Sequence, residues 1–441
     1  MISYLIVTGL IIISLIYTKK YGLLGFVLLV ALIGSDTDSV GILYAIESFF
    51  PYYKIIIRGF TIFLYIYSIF KITQLYLNGS IKSSFFFFYL VPLVLLSFTI
   101  FFVNIARGVD SITALSEIIW LGIPFFFIWT LGIIRSNNSH EIFVKIIQYQ
   151  SMVTLLILLL GPLTAEINGV SYAYIIGGDY WQSLSQTVIN ARISFGDFSK
   201  HSLNTLKFAQ FHNPNSLGVY STTYIAVALL GFIQKRVNLN GFILSIFLLL
   251  VGVVGWFNSL TRGPIFFTFL ILIFYLIGIF IRPKTFKRVF LLLFIGFILI
   301  INIDLIVKMI QYFMVNSSNL SIISRLSGIS FAFNSIVSSP IWGVMPELSD
   351  PIPHILPLKI GAYYGLPALI LITIPFFHVL YFGSKSFLRD ILNGNSENSL
   401  FHIILVGIIF GAYLTNGVIV YVLFWVLLAE SIKNFNIIKK P

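Results

Sequence analysis

The chain has 441 residues, of which 58% are hydrophobic and 10% charged, with no cysteine and a formal net charge of +12. Soluble domains carry roughly 25% charged residues, so the composition excludes an ordinary soluble protein. The missing cysteine excludes disulfides and thiolate metal sites.

Apolar runs of about 20 residues, broken by short polar stretches, are the pattern of membrane helices and not of an alternating barrel strand. The expected fold is all-α: one integral membrane domain over 1–441, a polytopic bundle of transmembrane helices. The opening "MISYLIVTGLIIISLIY" has no basic residue ahead of its apolar run, so it is expected to be a retained first span. In chain order the spans are expected at about 2–17, 21–34, 55–70, 83–103, 115–134, 142–163, 216–233, 240–257, 264–281, 288–303 and 358–383. The last apolar stretch, 400–432, is long enough to turn at Asn416-Gly417 and cross twice, which gives about 12–13 spans in all.

The connections alternate in charge. Lys19-Lys20, Lys71 to Lys82, Arg135, Lys235-Arg236, "RPKTFKR" at 282–288, Lys385 to Arg389 and the C-terminal lysines fall on one side. That side holds 17 of the 27 basic residues and 4 of the 15 acidic ones. By the positive-inside rule it is cytoplasmic. The net charge is therefore a topology signal and implies no nucleic acid. Five of the ten basic residues on the other side are arginines: Arg58, Arg107, Arg192, Arg262 and Arg325. Lysine is sufficient to set topology, whereas arginine adds a planar fork suited to phosphate or carboxylate.

Two external segments, about 164–215 and 304–357, are too long for simple connections and form the expected active-site face, with short amphipathic helices. In the second, "SIISRLSGISFAFNSIVSSP" places Ile322, Leu326, Ile329, Phe333 and Ile336 at helical spacing, ending at Pro340. This predicts an amphipathic helix at the outer membrane surface, its stripe packed on the bundle or in lipid. Arg325 lies off that stripe.

Three segments concentrate polar groups at external helix starts. "NSLTRGP" sets Arg262 just ahead of Pro264, a favourable first helical residue, so a guanidinium and free helical N–H groups would share one anion site. "FHNPNSLGVY" brings His212, Asn213 and Asn215 to the start of another span, where capping accounts for one polar residue but not for all three. "DPIPHILPLKIGAYYGLP" holds His354 in a proline-stiffened stretch just before a span, which suits a general base. No two histidines stand at i, i+4 and no carboxylate cluster accompanies them, so no metal site is expected.

At these residues the sequence resembles the O-antigen polymerase and O-antigen ligase family of bacterial envelope glycosyltransferases. Four segments carry the resemblance in the family's order: "FHNPNSLGVY", "NSLTRGP", "SRLSGISFAFNSIVSSPIWGV" and "PHILPLKIGAYYGLPALILI", covering about 210–375. Two details depart from the family pattern: Ile-Leu-Pro follows His354, and "PIWGVMP" stands where Gly-x-Gly often ends the late loop.

The resemblance implies a metal-independent and cofactor-free enzyme of the bacterial inner membrane, with its active face periplasmic or external. The donor would be an undecaprenyl-diphosphate-linked oligosaccharide, for O-antigen or capsule polymerisation. A ligase acting on lipid A core is the near alternative; a lipid-linked oligosaccharide flippase or transporter is the alternative from another class. Membrane lipid and a chain-length regulator protein would be further partners. Within this reading His354 is the expected base and Arg262 the expected catalytic cation. Arg192, Arg325, Arg107, His212, Asn213 and Asn215 are expected to bind the substrate.

Overall fold

A computed structural model of the chain describes residues 19–33, 53–135, 139–164, 166–167, 170–171, 214–233, 239–259, 319–347, 350–351, 353, 355–392 and 422–433, with single positions at 12, 16, 268 and 272. The described residues are almost wholly helical. The helices are α1 (Leu23–Ile33), α2 (Tyr53–Leu77), α3 (Ser83–Ala106), α4 (Ser111–Trp120), α5 (Ile123–Arg135) and α6 (Ser139–Thr164). They continue with α7 (Pro214–Ile233), α8 (Leu239–Ser259), α9 (Asn319–Ser338), α10 (Leu356–Leu392) and α11 (Val422–Lys433). A two-residue antiparallel pairing, β1 (Glu166–Ile167) with β2 (Val170–Ser171), follows α6. The expected spans at 2–17, 264–281 and 288–303 lie outside the described residues, apart from those single positions.

Among the described residues three helical stretches are long and apolar enough to cross a membrane: Ile56–Leu77, Ser83–Ala106 and Leu356–Lys385. The stretch read as one span at 115–134 is instead two helices, α4 and α5, bent by 55°. The break falls at Gly122, whose φ of 76° is cheap only for glycine, and Pro124 two residues later fits the first turn of a new helix. The Trp425 indole fills the space a Cβ on Gly122 would need, and its Nε1–H donates to the Leu121 carbonyl at 2.6 Å.

α5 is the centre of the bundle. Every residue from Ile123 to Ile133 is buried, as expected of a helix apolar on all sides. It packs against α1, α2 and α11. Close approach depends on Gly132, where a side chain would meet Leu24. The one carboxylate that α11 brings here, Glu430, is 2% exposed and accepts from Trp129 Nε1–H at 3.0 Å. α2 and α3 are joined by Tyr65 Oη, which donates to Ser97 Oγ at 2.8 Å; Ser97 in turn donates to the Leu93 carbonyl. α7 and α8 pack as a pair, with α8 on α6; Thr154 Oγ1 of α6 and Tyr224 Oη of α7 share a 2.8 Å hydrogen bond.

α3 begins with one helical turn and then a π turn, Phe86–Leu90, before the regular helix from Val91. α10 is interrupted too. Gly365 has φ 85° and ψ 175°, so the expected continuous span at 358–383 is two helical pieces. α9 forms where the sequence predicts it. However, Leu326 and Phe333 of the apolar stripe are 59% and 55% exposed, while Gly328, Ala332 and Ser335 are buried. The small residues let α9 approach α10 closely, where Ile336 also packs on Gly361, while Leu326 and Phe333 face outward.

Candidate functional site

The interruption in α10 frees main-chain groups, and their new partners build the site. In an unbroken helix the N–H of residue i bonds the carbonyl of i−4. Pro367 has no N–H to offer Tyr363, and the turn at Gly365 carries Leu366 away from Ala362. The segment after α9 supplies replacements: Val344 N–H donates to the Ala362 carbonyl at 2.8 Å, and Leu366 N–H donates to the Pro340 carbonyl at 2.7 Å. The Tyr363 carbonyl is taken by Arg107, whose Nη2 donates to it at 2.7 Å and to the Trp342 carbonyl at 2.6 Å. A freed backbone group in an apolar setting costs several kcal/mol; here each of these three finds a donor or acceptor.

Two glycines make the approach possible. A Cβ on Gly343 (φ 65°) would collide with the Ala362–Tyr363 backbone, and one on Gly365 would collide with the Ile341 carbonyl. The two chain segments therefore lie backbone to backbone, and the turn before Gly343 is held by Gly343 N–H donating to the Ser339 carbonyl at 2.8 Å.

Arg107 reaches this junction from the turn between α3 and α4. Asp110 caps α4, accepting from Ile112 and Thr113 N–H at 3.0 Å each. These bonds, that to Thr113 first, hold its carboxyl below the usual aspartate range. Burial pulls the Arg107 guanidinium below the ordinary arginine value, while the nearby Tyr364 and Glu117 oppose that shift; arginine remains a cation throughout. Glu117, on α4, accepts a hydrogen bond from Tyr364 Oη and a 3.4 Å one from Asn104 Nδ2. Arg58 on α2 meets the same helix, its Nη1 donating to Ser116 Oγ at 3.5 Å. On the outer side of the junction Ile341, Trp342 and Met345 are exposed, Trp342 by 54%. The result is a polar cluster of Arg107, Glu117, Tyr364 and Asn104 beside an exposed apolar tip.

The structure thus brings together two stretches that the sequence singled out, the end of "SRLSGISFAFNSIVSSPIWGV" and the "GAYYGLP" part of "PHILPLKIGAYYGLPALILI". It joins them to Arg107, some 230 residues earlier. Arg107, expected to bind substrate, here directs Nη2 at two main-chain carbonyls. Arg325 lies on α9 and Asn215 in the first turn of α7, with only their backbones described. Arg192, His212, Asn213, Arg262 and His354 lie outside the described residues. Glu117, Tyr364 and Asn104 were not singled out as site residues. The available signal was a carboxylate inside an apolar helix, which calls for a named partner. Among the described residues no group of three or more histidine or carboxylate side chains could hold a metal ion. No family model matches this chain, and no curated protein matches it.

Proposed function

We propose that the chain is a polytopic protein of about 12–13 spans in a bacterial cytoplasmic membrane. Its activity would be to polymerise polyprenyl-diphosphate-linked oligosaccharide repeats at the external face. The observation that carries this reading is the three-way junction at Gly365. It ties the segment after α9 to the start of α10, two of the four stretches that carry the resemblance to O-antigen polymerases and ligases, and it does so with arginine.

In the proposed reaction an acceptor hydroxyl oxygen attacks the anomeric carbon of the donor glycan. The bond from that carbon to the lipid diphosphate breaks, the proton passes to His354, and the polyprenyl diphosphate leaves with its electron pair. Arg262, Arg192 and Arg325 hold the departing negative charge, which fixed cations stabilise most where water is excluded. His212, Asn213 and Asn215 contact the glycan. Arg107 positions: it holds the late segment against α10, two turns after the helix start that His354 precedes. The exposed Ile341, Trp342 and Met345 suit the edge of a polyprenyl slot.

The discontinuous α10 also favours a second reading, since broken spans are a common device of transporters. One assay separates the readings. Purified protein is given polyprenyl-diphosphate-linked repeats, with and without lipid A core. A ladder of multiple repeats supports the polymerase, and transfer onto the core supports the ligase. Movement of intact lipid-linked repeat across a vesicle, with no new glycosidic bond, refutes both enzymes in favour of transport.

A further inference from the structure

Near the other end of α10 from the Gly365 junction lies a groove that the proposed reaction does not use. The π turn of α3 sets Phe88 and Tyr89 against His378 on α10. The Phe88 ring stacks on the imidazole at 4.2 Å, Phe382 lies 4.3 Å away, and Tyr89 Oη is 2.6 Å from Nδ1. Alongside runs a groove of about 730 Å³, lined by Ile370, Thr373, Phe377, His378 and Tyr381 on α10 and by Phe88 opposite. Phe88, Ile370, Phe377 and Tyr381 are all exposed. Both walls belong to helices long and apolar enough to cross a membrane, so the groove opens towards hydrocarbon.

The polar groups along it are ordered. His378 Nε2 is buried and has no hydrogen-bond partner. Tyr89 Oη and Nδ1 share their hydrogen bond in either direction; in the tautomer where Tyr89 O–H donates, the neutral ring carries its proton on Nε2 and offers a donor there. Two turns beyond His378, the Lys385 ammonium folds back over the Tyr381 ring, 5.8 Å from its centroid, as helical side chains lean towards the N-terminus. No acidic residue lines the groove. From Ile370 to Lys385 the order is therefore an apolar trough, then a donor, then a cation. A glycerophospholipid has the complementary order: acyl chain, ester carbonyl, phosphate.

We propose that this groove holds one anionic glycerophospholipid from the leaflet on the Lys385 side. The acyl chain lies in the trough, an ester carbonyl accepts from His378 Nε2–H, and the phosphate pairs with Lys385. Nε2 sits beneath the groove's side chains, so an exposed ring, Phe88 or Phe377, turns aside to admit the carbonyl. The site is independent of the glycosyltransferase reading and needs only that α3 and α10 cross the membrane.

The test is native mass spectrometry of the detergent-purified full chain titrated with phosphatidylglycerol, phosphatidylethanolamine or a polyprenyl phosphate. Thermal unfolding is followed in parallel to confirm the fold of each variant. One phosphatidylglycerol per chain is expected, bound about tenfold more tightly than phosphatidylethanolamine, whose own ammonium competes with Lys385 for the phosphate and repels it. Lys385→Ala, at an exposed site, should abolish that preference. Ile374→Trp should remove the adduct by filling the trough, and His378→Phe, which keeps the ring contacts, should weaken it about fivefold. Equal binding of the two phospholipids, an adduct indifferent to Ile374→Trp, or stronger binding of the polyprenyl phosphate would each overturn the proposal.

Discussion

The same three-residue pattern, glycine, an aliphatic residue and proline, stands at both interrupted helices: Gly122-Ile123-Pro124 and Gly365-Leu366-Pro367. Both glycines have positive φ, 76° and 85°. The break at Gly122 closes largely on itself. Leu121, Gly122 and Phe125 N–H all bond within the α4–α5 corner, and a single indole takes the Leu121 carbonyl. At Gly365 the freed groups go to a different part of the chain and to a guanidinium. The same glycine-aliphatic-proline pattern thus gives a self-closed corner in one place and an inter-segment junction in the other. The difference is set by what supplies the missing donors, because backbone groups in an apolar environment must be satisfied by something.

That contrast can be broken by substitution. Gly365→Ala should have the largest effect, about 2–5 kcal/mol of destabilisation, because positive φ and a collision with immovable backbone act together. Gly122→Ala meets only the Trp425 side chain and should cost less, about 1–3 kcal/mol. Thermal unfolding of the two purified variants ranks them, and the reverse order would undo the distinction between corner and junction.

Arg107→Ala comes next, at about 2–3 kcal/mol for loss of charged hydrogen bonds. Amide exchange should quicken at Val344 and Leu366 and stay slow across 123–133. Uniform quickening would mean that the junction and the corner are one cooperative unit. Trp425→Phe should do the opposite: a loss of about 1 kcal/mol felt in the α4–α5 corner, with Val344 and Leu366 unchanged.

The smallest effect concerns the cap next to Arg107. The Asp110 carboxyl is lowered in the folded protein, so its contribution is present above the unfolded aspartate value and is lost as pH falls through the folded one. The unfolding midpoint should therefore drop as pH is taken from about 5 to 3. Asp110→Asn, which still caps the helix, should flatten that part of the profile.

Helix type was legible in the sequence wherever apolar runs were long, as in α2, α3 and α10. Both breaks were not, although Gly-x-Pro was visible at each. Hydropathy is blind to a turn whose residues are all apolar. α9 was located, but the split of its stripe was not: Gly328 and Ala332 are buried and Ile336 packs on α10, whereas Leu326 and Phe333 are exposed. The external arginines stood out for their chemistry, and Arg107 does engage oxygen atoms. They are the carbonyl oxygens of this chain's own backbone, whose availability depends on Pro367, a residue 260 positions away.

The π turn in α3 amounts to a skipped beat. A regular helix advances about 100° per residue, so one surplus residue rotates everything before it by that amount relative to everything after. Phe85 and Tyr89 are buried before and within the π turn, and Leu93, Leu96, Ile100 and Val103 are buried after it. The run Phe85-Phe86-Phe87-Phe88 makes the skip inexpensive, since whichever ring is displaced outward remains soluble in hydrocarbon. A stretch that reads as monotonous is thus where the helix resets its phase.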